Sequence, residues 1–290
     1  MYAPESTTAL DGLSGRGPAA GVDVGATLAK LALRQDDGRV LLSMGAAEGL
    51  ELLAEQLNAL APPCIGLTGG GAPRLAKLLQ SDTAQVEEFA AWSTGAGLLL
   101  RGAEAPERFL LASVGTGTSV VRVGAGPIER VGGTALGGGT IMGLAAALFG
   151  EHSFERIAAL AAKGDRRDVD LLVGDIYRDG GFQLPPELNA ASFGKLALAR
   201  DRASTDPRDL SHALMGMVGE NVGLLCAALA NAAGVEHVVF GGSTLRNNDA
   251  LGGVLRGVCF AKGLSSTVLR QGEFAGAIGA LEATVSPAAL

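Results

Sequence analysis

The stretch 130–144, Arg-Val-Gly-Gly-Thr-Ala-Leu-Gly-Gly-Gly-Thr-Ile-Met-Gly-Leu, sets six glycines and two hydroxyl residues between a strand-like segment and an apolar helical one. That composition suits a loop that holds phosphate. Glycine lets backbone amides approach a phosphoryl group closely, and a following helix points its N-terminal amides at the same anion. Two further loops share the character: Asp-Val-Gly-Ala-Thr-Leu-Ala-Lys at 23–30 and Gly-Thr-Gly-Thr-Ser at 115–119, following apolar β-type runs at 20–22 and 109–114. Three such loops at strand ends predict a nucleotide held between two domains.

Bulk properties narrow the partner. With 290 residues, 48 % of them hydrophobic and 18 % charged, the chain can bury one large core or two moderate ones. The 44 glycines follow no collagen-like or low-complexity period, so they mark turns, close helix packing and ligand loops. A net charge of −7 without a basic run argues against nucleic acid or an anionic membrane surface and for a small molecule. Cys64, Cys226 and Cys259 are odd in number, far apart and in apolar contexts, which predicts buried free thiols in a reducing cytosol. The first residues lack the basic start and apolar block of a signal peptide, and no uninterrupted apolar stretch reaches the roughly 18 residues of a membrane span. A soluble, cytoplasmic protein is expected.

The elements that must position these loops fall into two sets. After a flexible tail at 1–18, strands are predicted at 21–23, 28–34 and 40–44, a helix at 46–60, a strand at 64–67 and helices at 73–80 and 88–101. A second set follows, with strands at 109–114, 119–124 and 127–131 and helices at 140–149, 154–163 and 210–233. It continues with a strand at 237–240, a helix at 249–260, a strand at 265–269 and a helix at 274–281. Two α/β lobes in tandem are expected, 19–104 and 105–290, parted by a linker-like break at 102–107.

The order of an Asp-x-Gly-x-Thr loop, a Gly-Thr-Gly-Thr-Ser loop and a late Phe-Gly-Gly-Ser turn at 240–243 resembles the two phosphate elements and the adenosine element of the actin-like ATPase and sugar-kinase superfamily. More specifically, the chain resembles type II pantothenate kinase, from Gly21 to Leu281. The matching pieces include Thr-Gly-Gly at 68–70, Glu88-Phe-x-Ala, Arg-Val-Gly-Gly at 130–133, Lys163-Gly-Asp-Arg, Ala191-Ser-Phe-Gly, Val218-Gly-Glu and Gly276-Ala-Ile-Gly. The resemblance implies two RNase H-like lobes with a nucleotide cleft between them, ATP-dependent phosphorylation of pantothenate as the first step of coenzyme A biosynthesis, and a homodimer. Ala26 departs from the pattern, standing where the family has a second glycine.

In the first loop, which comprises Asp23, Val24, Gly25, Ala26, Thr27, Leu28, Ala29 and Lys30, Asp23 is suited to hold the Mg²⁺ shell of ATP. Gly25, Thr27 and Leu28 supply amides and a hydroxyl, and Lys30 a point charge. Thr116, Gly117 and Thr118 form the opposing phosphate loop; taken alone they also read as a hairpin turn. Thr118, Ser119 and Arg130 resemble the family's pantothenate contacts, and a guanidinium binds a small carboxylate bidentately. By resemblance Glu88 is the catalytic carboxylate; by position alone it reads as a helix N-terminal acid serving the macrodipole, with Glu87 beside it solvated. Gly138, Gly139, Thr140, Ile141 and Met142, with Gly242 and Ser243, are expected to line the nucleotide, and Phe154 its base by carry-over. His152, His212 and His237 have no spacing suited to metal or triad chemistry.

Rossmann and P-loop classes drop out, since no Gly-x-Gly-x-x-Gly or Gly-Lys-Ser/Thr stands in the required context. The alternatives that remain are a sugar kinase of the same superfamily and a catalytically weak ATP- or coenzyme A-sensing protein. Pantetheine is a second acceptor to compare with pantothenate.

Overall fold

The computed structural model describes residues 4–15, 17–100, 105–124, 126–177, 184–198 and 203–284. The first set of elements is β1 (Pro4–Thr8), β2 (Ala19–Val24), β3 (Leu28–Arg34), β4 (Val40–Ala46), α1 (Leu50–Leu60), β5 (Cys64–Thr68), α2 (Ala72–Ala76), β6 (Asp82–Gln85) and α3 (Glu88–Leu100). The second begins with β7 (Phe109–Val114), β8 (Thr118–Val123), β9 (Glu129–Thr134), α4 (Gly138–Phe149), α5 (Phe154–Ala161), β10 (Leu171–Leu172), α6 (Val173–Ile176) and β11 (Asn189–Ala191). It ends with α7 (Pro207–Ala233), β12 (His237–Gly241), α8 (Asp249–Ala261), β13 (Ser265–Val268) and α9 (Ala275–Ala283).

The two sets build the same sheet twice. The strand orders β4-β3-β2-β5-β6 and β9-β8-β7-β12-β13 are equivalent: three antiparallel strands, then two that run parallel to the first. Parallel pairing needs a crossover, which segments containing α1 and α7 supply. The turn after β2 and the turn after β7 are therefore topological counterparts, and those turns are the two phosphate loops.

Separate cores support the two sheets. Val22, Ile65 and Leu67 pack with Leu53 and Leu57 of α1 in one, while Leu110, Val120 and Phe240 pack with Val218, Val222 and Cys226 of α7 in the other. By length and composition α7 is apolar enough to cross a membrane, but 61 % of its most apolar window is buried within the protein. Cys226 lies in that core, and burial pushes its thiol up to about 12.

Two expectations about the chain's ends are corrected. The described part of residues 1–18 is anchored: β1 pairs antiparallel with β4, the Ser14 amide donates to Glu282 Oε2 at 2.8 Å, and buried Arg34 donates through Nε to the Gly17 carbonyl at 2.8 Å. The second lobe does not own residues 105–290 throughout. α9 packs on β2, β5 and α3 of the first set because glycines on both sides allow backbone-close approach: the missing Cβ of Gly279 in α9 makes room for the Ala91 carbonyl of α3, and that of Gly66 in β5 for the Ala280 carbonyl. The short strands β1, β6, β10 and β11 carry too little apolar alternation to be read from sequence. The expected boundary at residue 104 lies outside the described residues.

Candidate active site

The two equivalent turns face each other across the cleft. Thr27 Oγ1 of the first loop and Thr116 Oγ1 of the second are hydrogen-bonded at 3.2 Å, although 89 positions apart in sequence. Around them open two adjoining cavities. One of about 530 Å³ is lined by Asp23, Gly25, Ala26, Thr27, Leu28, Lys30, Glu88, Trp92, Thr116, Gly117, Thr118, Ser119, Arg130, Gly242 and Ser243. The other, of about 780 Å³, is lined by Thr27, Leu28, Met44, Thr116, Gly138, Gly139, Met142, Phe154, Ala158, Ser243 and Arg246. The first is the more polar and holds Asp23, Lys30, Glu88 and Arg130. The second has an apolar wall, as a nucleobase requires.

Asp23 closes β2 and is 5 % exposed. Two features make that burial tolerable: Lys30 Nζ lies 3.4 Å from its Oδ2, and the carboxylate sits over the N-terminal turn of α9, where Gly276 leaves the space. The pairing follows from the sheet itself, since Asp23 and Lys30 are direct partners on adjacent antiparallel strands. Gly25 donates its amide to the Leu28 carbonyl at 3.0 Å, which tightens the loop. Ala26 is exposed and does not adopt positive φ, so a methyl group costs nothing in that backbone conformation.

Glu88 begins α3, and the helix-terminus duty that its position suggested falls to its neighbour. Glu87 Oε2 accepts the Ala90 amide at 2.8 Å, a capping contact, so Glu87 is not merely solvated. The Glu88 side chain is thereby left for the cavity. Among the described residues no hydrogen bond or ion pair engages it. Burial, then Asp23 and then Glu87 push its carboxyl above the usual glutamate value, with Lys30 opposing. Trp92, one helical turn along α3, walls the same cavity and meets Phe89 edge-on at 5.8 Å.

Arg130 reaches the cavity through an irregularity. Arg130 pairs with Val121 and Gly132 with Val120, so Val131 is an extra residue that moves Arg130 and Gly133 onto one face. The guanidinium lies over Gly133, where a Cβ would fall 2.5 Å from Nη2. It is exposed and has no ion-pair partner among the described residues. Ser119 is on the same wall, whereas the Thr118 hydroxyl is spent on the Leu136 carbonyl at 2.8 Å.

The glycine-rich stretch works differently from its reading in the sequence. The Gly138 amide donates to the Gly115 carbonyl at 2.8 Å and the Gly139 amide to the Thr116 carbonyl at 2.9 Å. Those two amides fix the second phosphate loop onto α4 and are not free for an anion. Ile141 is fully buried core, and the Thr140 hydroxyl donates to the Ala135 carbonyl, so neither lines a cavity. Val24 and Ala29 are likewise buried beneath the first loop. Gly138, Gly139, Met142 and Phe154 line the second cavity. Sequence reasoning missed Arg246, Asp249 and His152 there and Glu273 in the first cavity. Only tertiary contact signals them, apart from Arg246, which follows the Gly-Gly-Ser turn by three residues.

The Fumble family model matches residues 103–283. A protein named type II pantothenate kinase from Staphylococcus haemolyticus is 34 % identical over 262 residues, covering 90 % of this chain and 98 % of that one. The chain belongs to the type II pantothenate kinase family. Among solved structures, component A of the Acidaminococcus fermentans (R)-2-hydroxyglutaryl-CoA dehydratase superposes with TM-score 0.64 at 20 % identity, covering 94 % of this chain and all of that one (100 %). A ROK family glucokinase from Streptomyces griseus, solved with glucose and AMPPNP, gives TM-score 0.59 at 13 % identity, covering 92 % and 98 %. At such identities the likeness shows the fold, two actin-like lobes. Two contacts lie outside both cavity linings: Arg166 holds Glu220 of α7 at 2.6 Å, and fully buried Asp170 accepts the Phe193 amide at 2.8 Å.

Proposed function

We propose that the chain transfers the γ-phosphoryl group of Mg²⁺-bound ATP to the primary hydroxyl of pantothenate, giving 4′-phosphopantothenate, the first step of coenzyme A biosynthesis. The observation that carries this reading is the convergence of two phosphate loops at Thr27 and Thr116, beside a cavity in which Glu88 stands unpaired. Family membership supplies the acceptor.

In the proposed mechanism the adenosine end lies against Met142, Phe154 and the Gly242-Ser243 turn, and the triphosphate runs between the loops. Lys30 and the hydroxyls of Thr27 and Thr116 meet the phosphate oxygens. Arg130 binds the pantothenate carboxylate, with Ser119 beside it. Glu88 accepts a hydrogen bond from the acceptor hydroxyl; that oxygen bonds to the γ-phosphorus, the bond to the β–γ bridging oxygen breaks, and Glu88 takes the proton as ADP leaves. A raised carboxyl pKa strengthens it as a base. Phosphoryl transfer asks chiefly for such positioning and charge stabilisation.

The residues present fit magnesium. No cluster of three or more His, Cys, Asp or Glu forms a metal cage among the described residues, and the Asp23 carboxylate beside the loops would suit an ion held largely by water and phosphate. When bound, Mg²⁺ neutralises charge on those oxygens. A cytoplasmic homodimer belongs to the same reading, and exposed Leu224 of α7 and Phe260 of α8 offer it apolar surface.

An acceptor screen tests the proposal: ADP formation from ATP and Mg²⁺ with pantothenate, pantetheine, glucose or no acceptor. Turnover is expected with the pantoyl acceptors. Turnover on glucose alone would favour the sugar kinase, and thermal stabilisation by ATP without turnover the sensor.

A further inference from the structure

The strand that precedes the first lobe touches the nucleotide wall of the second. β1 is hydrogen-bonded along β4, yet Glu5 Oε2 lies 3.1 Å from Nη2 of Arg246, and Ser6 Oγ accepts from Gln271 Nε2 at 3.0 Å. Consecutive strand residues ordinarily point to opposite faces. Here Pro4 pairs with Ser43 and Ser6 with Leu42, so Glu5 is an inserted residue, and the bulge turns two neighbouring side chains towards the second lobe.

Both contacts end on turns that build the nucleotide site. Arg246 follows the Gly242-Ser243 turn and lines the apolar cavity. Gln271 starts, at φ 59°, the turn that holds Glu273, and the Gly242 amide donates to the Gly272 carbonyl at 3.2 Å, joining the two turns. Arg246 Nε is also 3.7 Å from Glu273 Oε1, an ion-pair separation but not a hydrogen bond. The contact of hydrogen-bond length is the one made by Glu5.

We propose that Glu5 is a positioning residue for the nucleotide: from a strap strand anchored on the first lobe, it holds Arg246 in place as a wall of the nucleotide cavity. Without it the guanidinium swings between Glu273 and solvent, and the wall loses its fixed shape. The strap acts on nucleotide binding and leaves the acceptor side, built by Arg130, Ser119 and Glu88, untouched.

The test is Glu5→Gln in the full-length chain, with Arg246→Gln and the double variant. A fluorescent ADP analogue is titrated, and initial rates are taken with ATP varied at saturating pantothenate. Loss of a half-exposed charge-assisted contact predicts about three- to tenfold weaker analogue binding and an equal rise in KM for ATP. kcat and KM for pantothenate should stay within about twofold, and the double variant should match Arg246→Gln because both changes act through one group. Unchanged analogue binding, or additive effects in the double variant, overturns the proposal. So does an equal loss in every kinetic constant, which marks a general structural role. The kinetic arm rests on the kinase reading and the titration does not, so intact analogue binding without any pantothenate turnover would sink that reading alone.

Discussion

Gly276→Ala perturbs the Asp23 carboxylate and the helix that carries Glu88 through one methyl group. Gly276 is the second residue of α9, and a Cβ there would stand 2.7 Å from Asp23 Oδ2, 2.9 Å from Asp23 Cγ and 2.9 Å from Trp92 Cδ1. Ordinary contact begins at 3.4 Å, so the Asp23 carboxylate must retreat by about 0.7 Å and the Trp92 ring by about 0.5 Å. Neither has easy room, because Asp23 is held by Lys30 and Trp92 shares α3 with Glu88. Overpacking of this kind costs about 1–3 kcal/mol, which leaves a domain of ordinary stability folded. A displacement near 1 Å at the reacting centre costs up to about a hundredfold in rate, so kcat should fall about ten- to a hundredfold, or about 1.4–2.7 kcal/mol in the barrier. The control is the same chemistry where there is space: Gly253 and Gly257 of α8 meet nothing within 4 Å. Alanine at either should leave kcat unchanged and stabilise the helix by about 0.5–1 kcal/mol. Steady-state kinetics and thermal melts on the three variants decide it. If Gly276→Ala keeps kcat within twofold of the unsubstituted protein, the cradle under Asp23 is not what aligns the site.

Other expectations follow from the same geometry. Glu88→Gln removes the base and keeps the shape, so kcat should fall by about 10²- to 10⁴-fold while ATP affinity holds; full turnover in that variant would strip Glu88 of its role. Because burial and Asp23 raise the Glu88 carboxyl and only the ionised form accepts a proton, kcat/KM should fall as pH drops through a midpoint above the ordinary glutamate value of 4.5. An acid limb at or below that value contradicts the assignment. Arg130→Ala should raise KM for pantothenate and spare pantetheine, which lacks the carboxylate; equal losses on both mean that Arg130 binds something else. Ala26→Gly should give no gain in ATP affinity, since Ala26 already has negative φ, and a measured gain of more than threefold would show that the methyl group obstructs the phosphates.

Much of the site was legible one residue at a time. Asp23, Lys30, Thr27 and Thr116 could be named because strand-ending loops rich in glycine and hydroxyl groups announce phosphate chemistry, whereas Ser119 and Arg130 come only through the family resemblance; all six line one cavity. Strands β3 and β7 have the bounds expected from the sequence, since short, largely apolar runs between turn residues leave few alternatives. Short-range sequence carries no information on which donors are already used. That is why Gly138 and Gly139 looked like anion donors until the Gly115 and Thr116 carbonyls were found to accept from them.

The sequence by itself determined the two lobes, the loops between strands and the acid at the head of α3, because those depend on local backbone preference and hydrophobic period. Tertiary structure alone decided that Glu87 caps and Glu88 does not, that α9 returns to the first lobe to seat Asp23, and that β1 crosses to Arg246. Each of these is a contact between residues distant in sequence or a division of labour between identical neighbours. Such contacts are fixed by where whole elements pack, and no local spacing encodes them.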